Sequence, residues 1–158
     1  MNKSLCVAFL IGLLVLSITS RPAPAKAATV KIIISGPSLP APIEVTDEQI
    51  LALSNVWAGQ FLDGSLSSPE RPSQRIPFEL AFYVKFQDGD PRLMYVAYYY
   101  PDRSSQRGYI YLPGRDEPWY YLNVGTILRS GQDSKWNYAS PVWESLIKPV
   151  IAHHQSAP

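Results

Sequence analysis

The clearest pattern along the chain is an alternation of apolar and polar residues that begins at Ile76. In the run IPFELAFYVKFQ, apolar residues recur at every second position from Phe78 to Phe86. This is the period of a strand with one buried face. The turn-forming segment Asp88–Pro91 and a second β-rich run, RLMYVAYYY, follow at once. The pattern therefore predicts a β-hairpin over Ile76–Tyr100 at the centre of the fold.

A four-residue loop would set the register of this hairpin. Large side chains would then face small ones on a single apolar face. The expected pairs are Phe86 with Leu93, Val84 with Tyr95, Phe82 with Ala97, and Leu80 with Tyr99.

Shorter β-rich runs on either side predict the remaining strands. These runs are Ala28–Ser35, Ile43–Val45, Tyr109–Leu112 and Trp119–Val124. Residues 125–138 carry scattered glycine and polar residues, which indicates mostly loop with at most one short strand. The polar segment Gly64–Arg75 has no periodicity, which indicates a surface loop.

The signals of a first helix begin at Thr46. Thr46 and Gln49, three residues later, form a capping box. We therefore predict a helix from Asp47 to about Ala58, ended by Gly59.

A second helix begins after Ser140, which with Pro141 supplies the preferred N-cap and first-turn residues. An apolar stripe at spacings of three and four follows, made of Trp143, Leu146, Ile147, Val150 and Ile151. Pro149 interrupts the helix, and we expect the tail to fray from about His153.

Together these elements predict a single α+β domain from Ala28 to about Ala152. Its sheet is an antiparallel meander of four to five strands, and both helices pack on the phenylalanine-bearing face.

The first 27 residues have the layout of a cleavable signal peptide. Lys3 gives a positive start, Leu5–Ile18 is an apolar run, and Ala25-Lys26-Ala27 offers a small-x-small cleavage pattern. We predict cleavage after Ala27, which leaves a domain of residues 28–158 outside the cytoplasm, either secreted or periplasmic. An uncleaved N-terminal anchor is the alternative, although the apolar run is short for a membrane span.

Composition narrows the possible partners. Removing residues 1–27 takes away three basic residues and no acidic one, which leaves 11 basic and 13 acidic residues. That balance gives no electrostatic basis for binding nucleic acid or inserting into an anionic membrane. The only cysteine, Cys6, lies in the leader, so the processed chain has no disulfide.

Several segments resemble those of a family of small uncharacterised exported bacterial proteins. These segments are ISGPSLPAPIEVTD, NVWAGQFLD, YIYLPG and SPVWESLIKPVI. The resemblance covers most of the processed chain, and it implies export but no activity, cofactor or catalytic residue.

Catalytic and metal-binding patterns do not emerge from the processed sequence. Its two histidines, His153 and His154, are neighbours near the chain end, where they cannot share a metal as residues four apart on a helix could. The acidic pairs Asp88/Asp90 and Asp116/Glu117 lie in predicted turns, where carboxylates usually accept backbone N–H groups. We therefore predict no catalytic residue, metal or cofactor. A hydrolase whose carboxylates are brought together by folding is the alternative.

Aromatic residues give the strongest functional indication. Five tyrosines fall on the second face of the predicted sheet: Tyr83, Tyr98, Tyr100, Tyr109 and Tyr111. An open face of this kind would suit a cell-wall glycan or a peptide or protein partner. Two alternatives remain. The connection Phe61–Arg75 or the first strand could cover the face, or the protein could associate through a sheet edge.

Overall fold

A computed structural model describes residues 27–64, 76–87, 89–102, 107–124 and 134–156. Over these ranges the chain forms six strands and three helices in an α+β arrangement. In chain order they are β1 (Ala27–Ser35), β2 (Ile43–Val45), α1 (Glu48–Leu53), β3 (Phe78–Phe86), β4 (Arg92–Tyr100), β5 (Tyr109–Tyr111), α2 (Tyr120–Asn123), β6 (Trp136–Tyr138) and α3 (Pro141–Gln155).

All six strands form one antiparallel sheet in the order β2-β1-β3-β4-β5-β6. The predicted hairpin is confirmed, because β3 and β4 pair at the centre of this order. The alternating apolar side chains of β3 from Phe78 to Val84 are buried as predicted, with Phe82 and Val84 fully enclosed, whereas Phe86 is 39% exposed. The predicted class is therefore correct, but the sheet has more strands than the four to five expected. The additional strand, β6, comes from a segment predicted to be mostly loop.

The register of the hairpin differs from the prediction by two residues. Leu80 lies opposite Ala97 rather than Tyr99, and Phe82 lies opposite Tyr95. Beyond that point Tyr83 pairs with Leu93, so one residue of β4 is left over in a β-bulge. Between Phe78 and Phe82 the shift of two residues keeps the side chains on their expected faces, but beyond the bulge Leu93 lies opposite Tyr83 and leaves the phenylalanine face. The error arises because the connection is longer than four residues.

The strand predicted over Trp119–Val124 is wrong. Trp119 has a left-handed backbone conformation, with φ of 73°, and a single helical turn, α2, follows it. A tertiary contact made by Asn123 outweighs the β propensity of this segment. Its side-chain amide bonds both backbone groups of Val96 on β4, with Oδ1 accepting from the N–H at 2.8 Å and Nδ2 donating to the carbonyl at 2.6 Å.

Helix α1 is shorter than predicted and starts on a different cap. Oδ1 of Asp47, not the Thr46 hydroxyl, accepts the free backbone N–H groups of Gln49 and Ile50, at 2.9 and 3.0 Å. The helix ends at Leu53 rather than near residue 58. Turns occupy the rest of the predicted range.

The core lies between the phenylalanine face of the sheet and helices α1 and α3. Trp143 is fully buried at its centre, with ring centroids 5.4 Å from Tyr99 and 6.4 Å from Phe61. Its indole Nε1 donates to Oγ of Ser54 at 2.9 Å, which satisfies the one polar atom of the ring. This contact ties α3 to the end of α1.

Helix α3 is continuous through Pro149 and reaches Gln155, past the point where fraying was expected. Residues 1–26 of the predicted leader, which spans residues 1–27, lie outside the described residues, and its last residue, Ala27, begins β1 opposite Phe86. Within the described ranges, none of the helices has the length and apolarity needed to cross a membrane.

A carboxylate is enclosed where α3 meets the central strands. Oε1 of Glu144 accepts hydrogen bonds from the Tyr99 hydroxyl at 2.6 Å and the Gly108 N–H at 2.7 Å, and it lies 3.0 Å from Nζ of Lys148. Burial, and then the bond to Glu144, raises the pKa of Tyr99 far above its ordinary value of 10.

Candidate binding site

Strands β4, β5 and β6 place two rows of aromatic side chains on the face opposite the core. In one row Tyr98 pairs with Tyr111, which pairs with Trp136. In the other row Tyr100 pairs with Tyr109, which pairs with Tyr138. Alternate residues of a strand share a face, so the three short strands present all six rings together.

Trp136 lies between two of these tyrosines. Its ring centroid is 4.7 Å from that of Tyr111 and 4.8 Å from that of Tyr100. Both distances fall in the range of favourable aromatic pairs. All three side chains are half-buried, so the cluster is held by its own packing and still reaches solvent.

A concave pocket of about 180 Å³ opens beside this cluster. Its lining consists of Pro77, Tyr98, Tyr100, Tyr111, Glu117 and Trp136. Pockets for drug-sized ligands usually measure roughly 300–1,000 Å³. The pocket therefore suits a single ring or headgroup of a larger ligand.

A tight turn after β5 positions Glu117. Oε2 of Glu117 accepts the Gly114 N–H at 2.6 Å, and the Glu117 N–H returns a bond to the Gly114 carbonyl at 3.0 Å. The interpretation of Glu117 as a turn residue is therefore confirmed. The same Oε2 accepts from the Tyr111 hydroxyl at 2.7 Å. Burial, and then this bond, raises the pKa of Tyr111 to about 12.

A second carboxylate lies near the pocket. Glu79 on β3 accepts a 3.2 Å hydrogen bond from Nε1 of Trp119, whose left-handed backbone directs the indole back to the sheet. The pKa of Tyr98 is raised, first by burial and then by the negative charges of Glu79 and Glu117. Two acidic groups therefore act on the same aromatic site.

The structure brings together three of the five tyrosines predicted to bind a ligand. Tyr98, Tyr100 and Tyr111 line the pocket. Tyr109 packs against Tyr138 at 5.4 Å between ring centroids. Tyr83 is on β3, where its ring lies 5.0 Å from Nζ of Lys31. The expected open face of five tyrosines thus contains a pocket that three of them build with other residues.

The sequence analysis missed Trp136, Glu117 and Pro77. A signal for Trp136 exists in the alternation of WNY, where Trp136 and Tyr138 are two residues apart. The run is only three residues long and follows a polar segment, so the pattern alone indicated a loop.

Neither Phe61 nor the first strand, both considered as possible covers of the tyrosine face, lies over it. Phe61 packs on the opposite face, with its ring centroid 5.1 Å from that of Phe82, and β1 lies within the sheet. Residues 65–75 of the predicted cover lie outside the described residues. Helix α2 contacts β4 instead, through the hydrogen bonds between Asn123 and Val96.

In the part of the chain that the structure describes, no three His, Cys, Asp or Glu side chains are grouped to hold a metal ion. Asp88 of the predicted acidic turn lies outside that part. Comparison of the chain with protein-family models, curated proteins and solved structures gave no match.

Proposed function

We propose that the protein is an exported, non-catalytic binding module that holds one group of a cell-wall glycan or peptide against its aromatic sheet face. The pocket walled by Tyr98, Tyr100, Tyr111 and Trp136 carries this proposal. Tyrosine and tryptophan offer flat apolar area with a polar tip, which suits sugar rings and extended peptides. Each favourable ring contact contributes on the order of 1 kcal/mol, so a ligand with repeated units gains by binding many times.

The hydrogen-bond partners of the two nearby carboxylates favour a binding function over a hydrolase activity. A hydrolase of the carboxylate type needs two carboxyl groups that face a shared reaction site. Here Glu79 bonds Trp119, and Oε2 of Glu117 holds Gly114 and Tyr111. These bonds give both residues a role in shaping the aromatic site.

The form of the sheet edges favours the binding-module proposal over association of the protein through a sheet edge. The two outer strands, β2 and β6, are three residues long, and short edge strands offer few backbone groups to another chain. Glu44 of β2 pairs with Lys31 at 3.4 Å, which places charge along that edge. On β6, the Tyr138 carbonyl already accepts from the Asp63 N–H at 2.9 Å.

Export is supported by the layout of residues 1–27. N-terminal sequencing of protein from the periplasm or medium should start at Ala28. Recovery of intact Met1 in the soluble cytosolic fraction would contradict the export proposal.

Titration of purified residues 28–158 tests the binding function. Soluble peptidoglycan fragments and chitooligosaccharides would be added while tryptophan fluorescence is followed, with calorimetry as a second readout. We expect saturable binding to at least one of these materials. Tyr111→Ala and Trp136→Ala should each lower the affinity about tenfold, which corresponds to about 1.4 kcal/mol.

The matched control is Tyr121→Ala. Tyr121 is 84% exposed and is not among the residues that line the pocket. This variant should bind as the unmodified protein does. The proposal fails if none of the wall materials binds, or if the pocket variants bind as tightly as the control.

A further inference from the structure

The pocket combines aromatic walls with negative charge. Among its described lining residues are four aromatic rings and one carboxylate, that of Glu117, and none of these residues is basic. The negative charge of Glu79, like that of Glu117, also raises the pKa of Tyr98, one of these four aromatic residues. An anionic ligand would therefore be repelled, and a neutral sugar would gain stacking but nothing from the charge.

Glu117 retains an oxygen for a ligand. Both hydrogen bonds that its side chain accepts within the described chain end on Oε2, from Tyr111 and Gly114. These bonds fix the position of the carboxylate at the pocket wall and leave Oε1 without a described partner. A fixed acceptor of this kind binds a cationic donor more strongly than a neutral one.

The tyrosine rings also favour a positive charge. The face of an aromatic ring carries negative potential, so a cation within about 6 Å of the ring centroid is attracted. The same sheet face already contains one such contact, since Nζ of Lys31 lies 5.0 Å from the ring centroid of Tyr83.

We propose that the group held in the pocket is an organic cation, namely the ammonium or guanidinium group of a basic peptide side chain. This inference rests on the binding function proposed above and names its ligand class. The pocket volume of about 180 Å³ agrees with one such headgroup rather than several sugar rings. Rings of Tyr100, Tyr111 and Trp136 would contact the cation, and Glu117 would pair with it.

Four probes separate charge from shape. Choline is compared with its uncharged tert-butyl analogue, in which carbon replaces nitrogen, while N-acetyl-lysine amide and N-acetyl-arginine amide represent peptide side chains. Binding is measured from NMR shifts of the Trp136 indole N–H. We expect choline and at least one of the two amides to bind at millimolar concentration, and the uncharged analogue to bind at least tenfold more weakly.

The failures of the two proposals are distinguishable. Equal binding of choline and its uncharged analogue would overturn the cation inference while the aromatic binding function stands. Binding of choline without either amide would overturn the assignment to a peptide side chain. If wall fragments bind and none of the four probes does, the inference also fails.

Glu117→Gln tests the carboxylate directly, because it keeps the size of the side chain and removes its charge. We expect about a fivefold to tenfold loss of affinity for choline and no loss for the uncharged analogue. Asp116→Asn, in the same turn and also exposed, is the matched control and should retain affinity. Circular dichroism checks the fold, and Glu79→Gln repeats the test if Glu117→Gln unfolds. Unchanged affinity in a folded Glu117→Gln variant would overturn the pairing.

Discussion

The hydroxyl of Tyr99 donates a 2.6 Å hydrogen bond to Oε1 of Glu144, 45 residues later in the chain, and both side chains are buried. Tyr99 belongs to the central strand β4, and Glu144 to the first turn of α3. The bond therefore fixes the last helix to the middle of the sheet. It also supplies a donor to a carboxylate whose Oε2 is buried with no hydrogen-bond partner among the described residues.

Tyr99→Phe should destabilise the protein because it removes this donor and keeps the ring. Loss of a hydrogen bond to a buried charged group costs about 1.5–3 kcal/mol. Urea unfolding followed by circular dichroism measures the difference in the free energy of unfolding. Tyr121→Phe, at an exposed position, is the control and should change stability little. A Tyr99→Phe variant as stable as this control would contradict the assigned role of the bond.

Stability should fall as the pH rises above about 10, the ordinary tyrosine value. The pKa of Tyr99 is raised in the folded protein, by burial first and then by Glu144, so the folded state keeps a proton that the unfolded state loses. The stabilisation is complete below the unfolded pKa and is lost as the pH rises toward the folded one. For a single group the slope is at most about 1.4 kcal/mol per pH unit.

Urea unfolding at several pH values between 8 and about 11 checks this prediction. The decline should be shallower in Tyr99→Phe. Some decline should remain in that variant, since Tyr111, with a pKa of about 12, acts in the same direction. Parallel curves for the two proteins would show that Tyr99 does not carry the effect.

Gly108→Ala should disturb the same buried contact. A methyl group at Gly108 would overlap Oε1 of Glu144 and lie 2.5 Å from the Tyr99 ring and 3.0 Å from the Tyr100 carbonyl. Forcing an extra carbon into a packed site costs about 1–3 kcal/mol. Gly64→Ala is the matched control, because nothing lies within 4 Å of the added carbon there. Thermal unfolding of the two variants should differ, with only Gly108→Ala melting clearly lower.

The side-chain amide of Asn123 should matter more for stability than its place in a four-residue helix suggests. Asn123→Ala leaves the N–H and carbonyl of Val96 without this partner at a fully buried position. An unsatisfied buried group costs about 1–3 kcal/mol, so the loss should reach the upper part of that range or exceed it.

Asn123→Asp separates the two bonds of this pair, because a carboxylate accepts from the Val96 N–H and cannot donate to its carbonyl. It should also destabilise the protein at neutral pH. Asn137→Ala is the control, since its described bond, to the Lys135 carbonyl, is exposed and 3.4 Å long. If chemical unfolding shows the Asn123 variants to be as stable as this control, the assigned role of the bonds between Asn123 and Val96 is contradicted.

The amino-acid sequence alone determined the elements that depend on residues close together in the chain. The alternation from Phe78 to Val84 defined a strand and its buried face, because neighbouring side chains of a strand point to opposite sides. Ser140 and Pro141 marked the start of α3, and the apolar stripe after them identified its buried side. The tyrosines of β4 and β5 were likewise placed on the correct face by alternation alone.

Tertiary structure decided what depends on residues far apart in the chain. A longer connection and a bulge in β4 changed the hairpin register, and the pairing of Asn123 with Val96, 27 residues earlier, turned a β-forming segment into a helical turn. Trp136 joined Tyr100 and Tyr111 only because β6 pairs with β5. Local propensity is worth a fraction of a kcal/mol per residue, while a satisfied buried polar pair or a packed ring is worth about 1 kcal/mol or more, so the distant contacts prevailed.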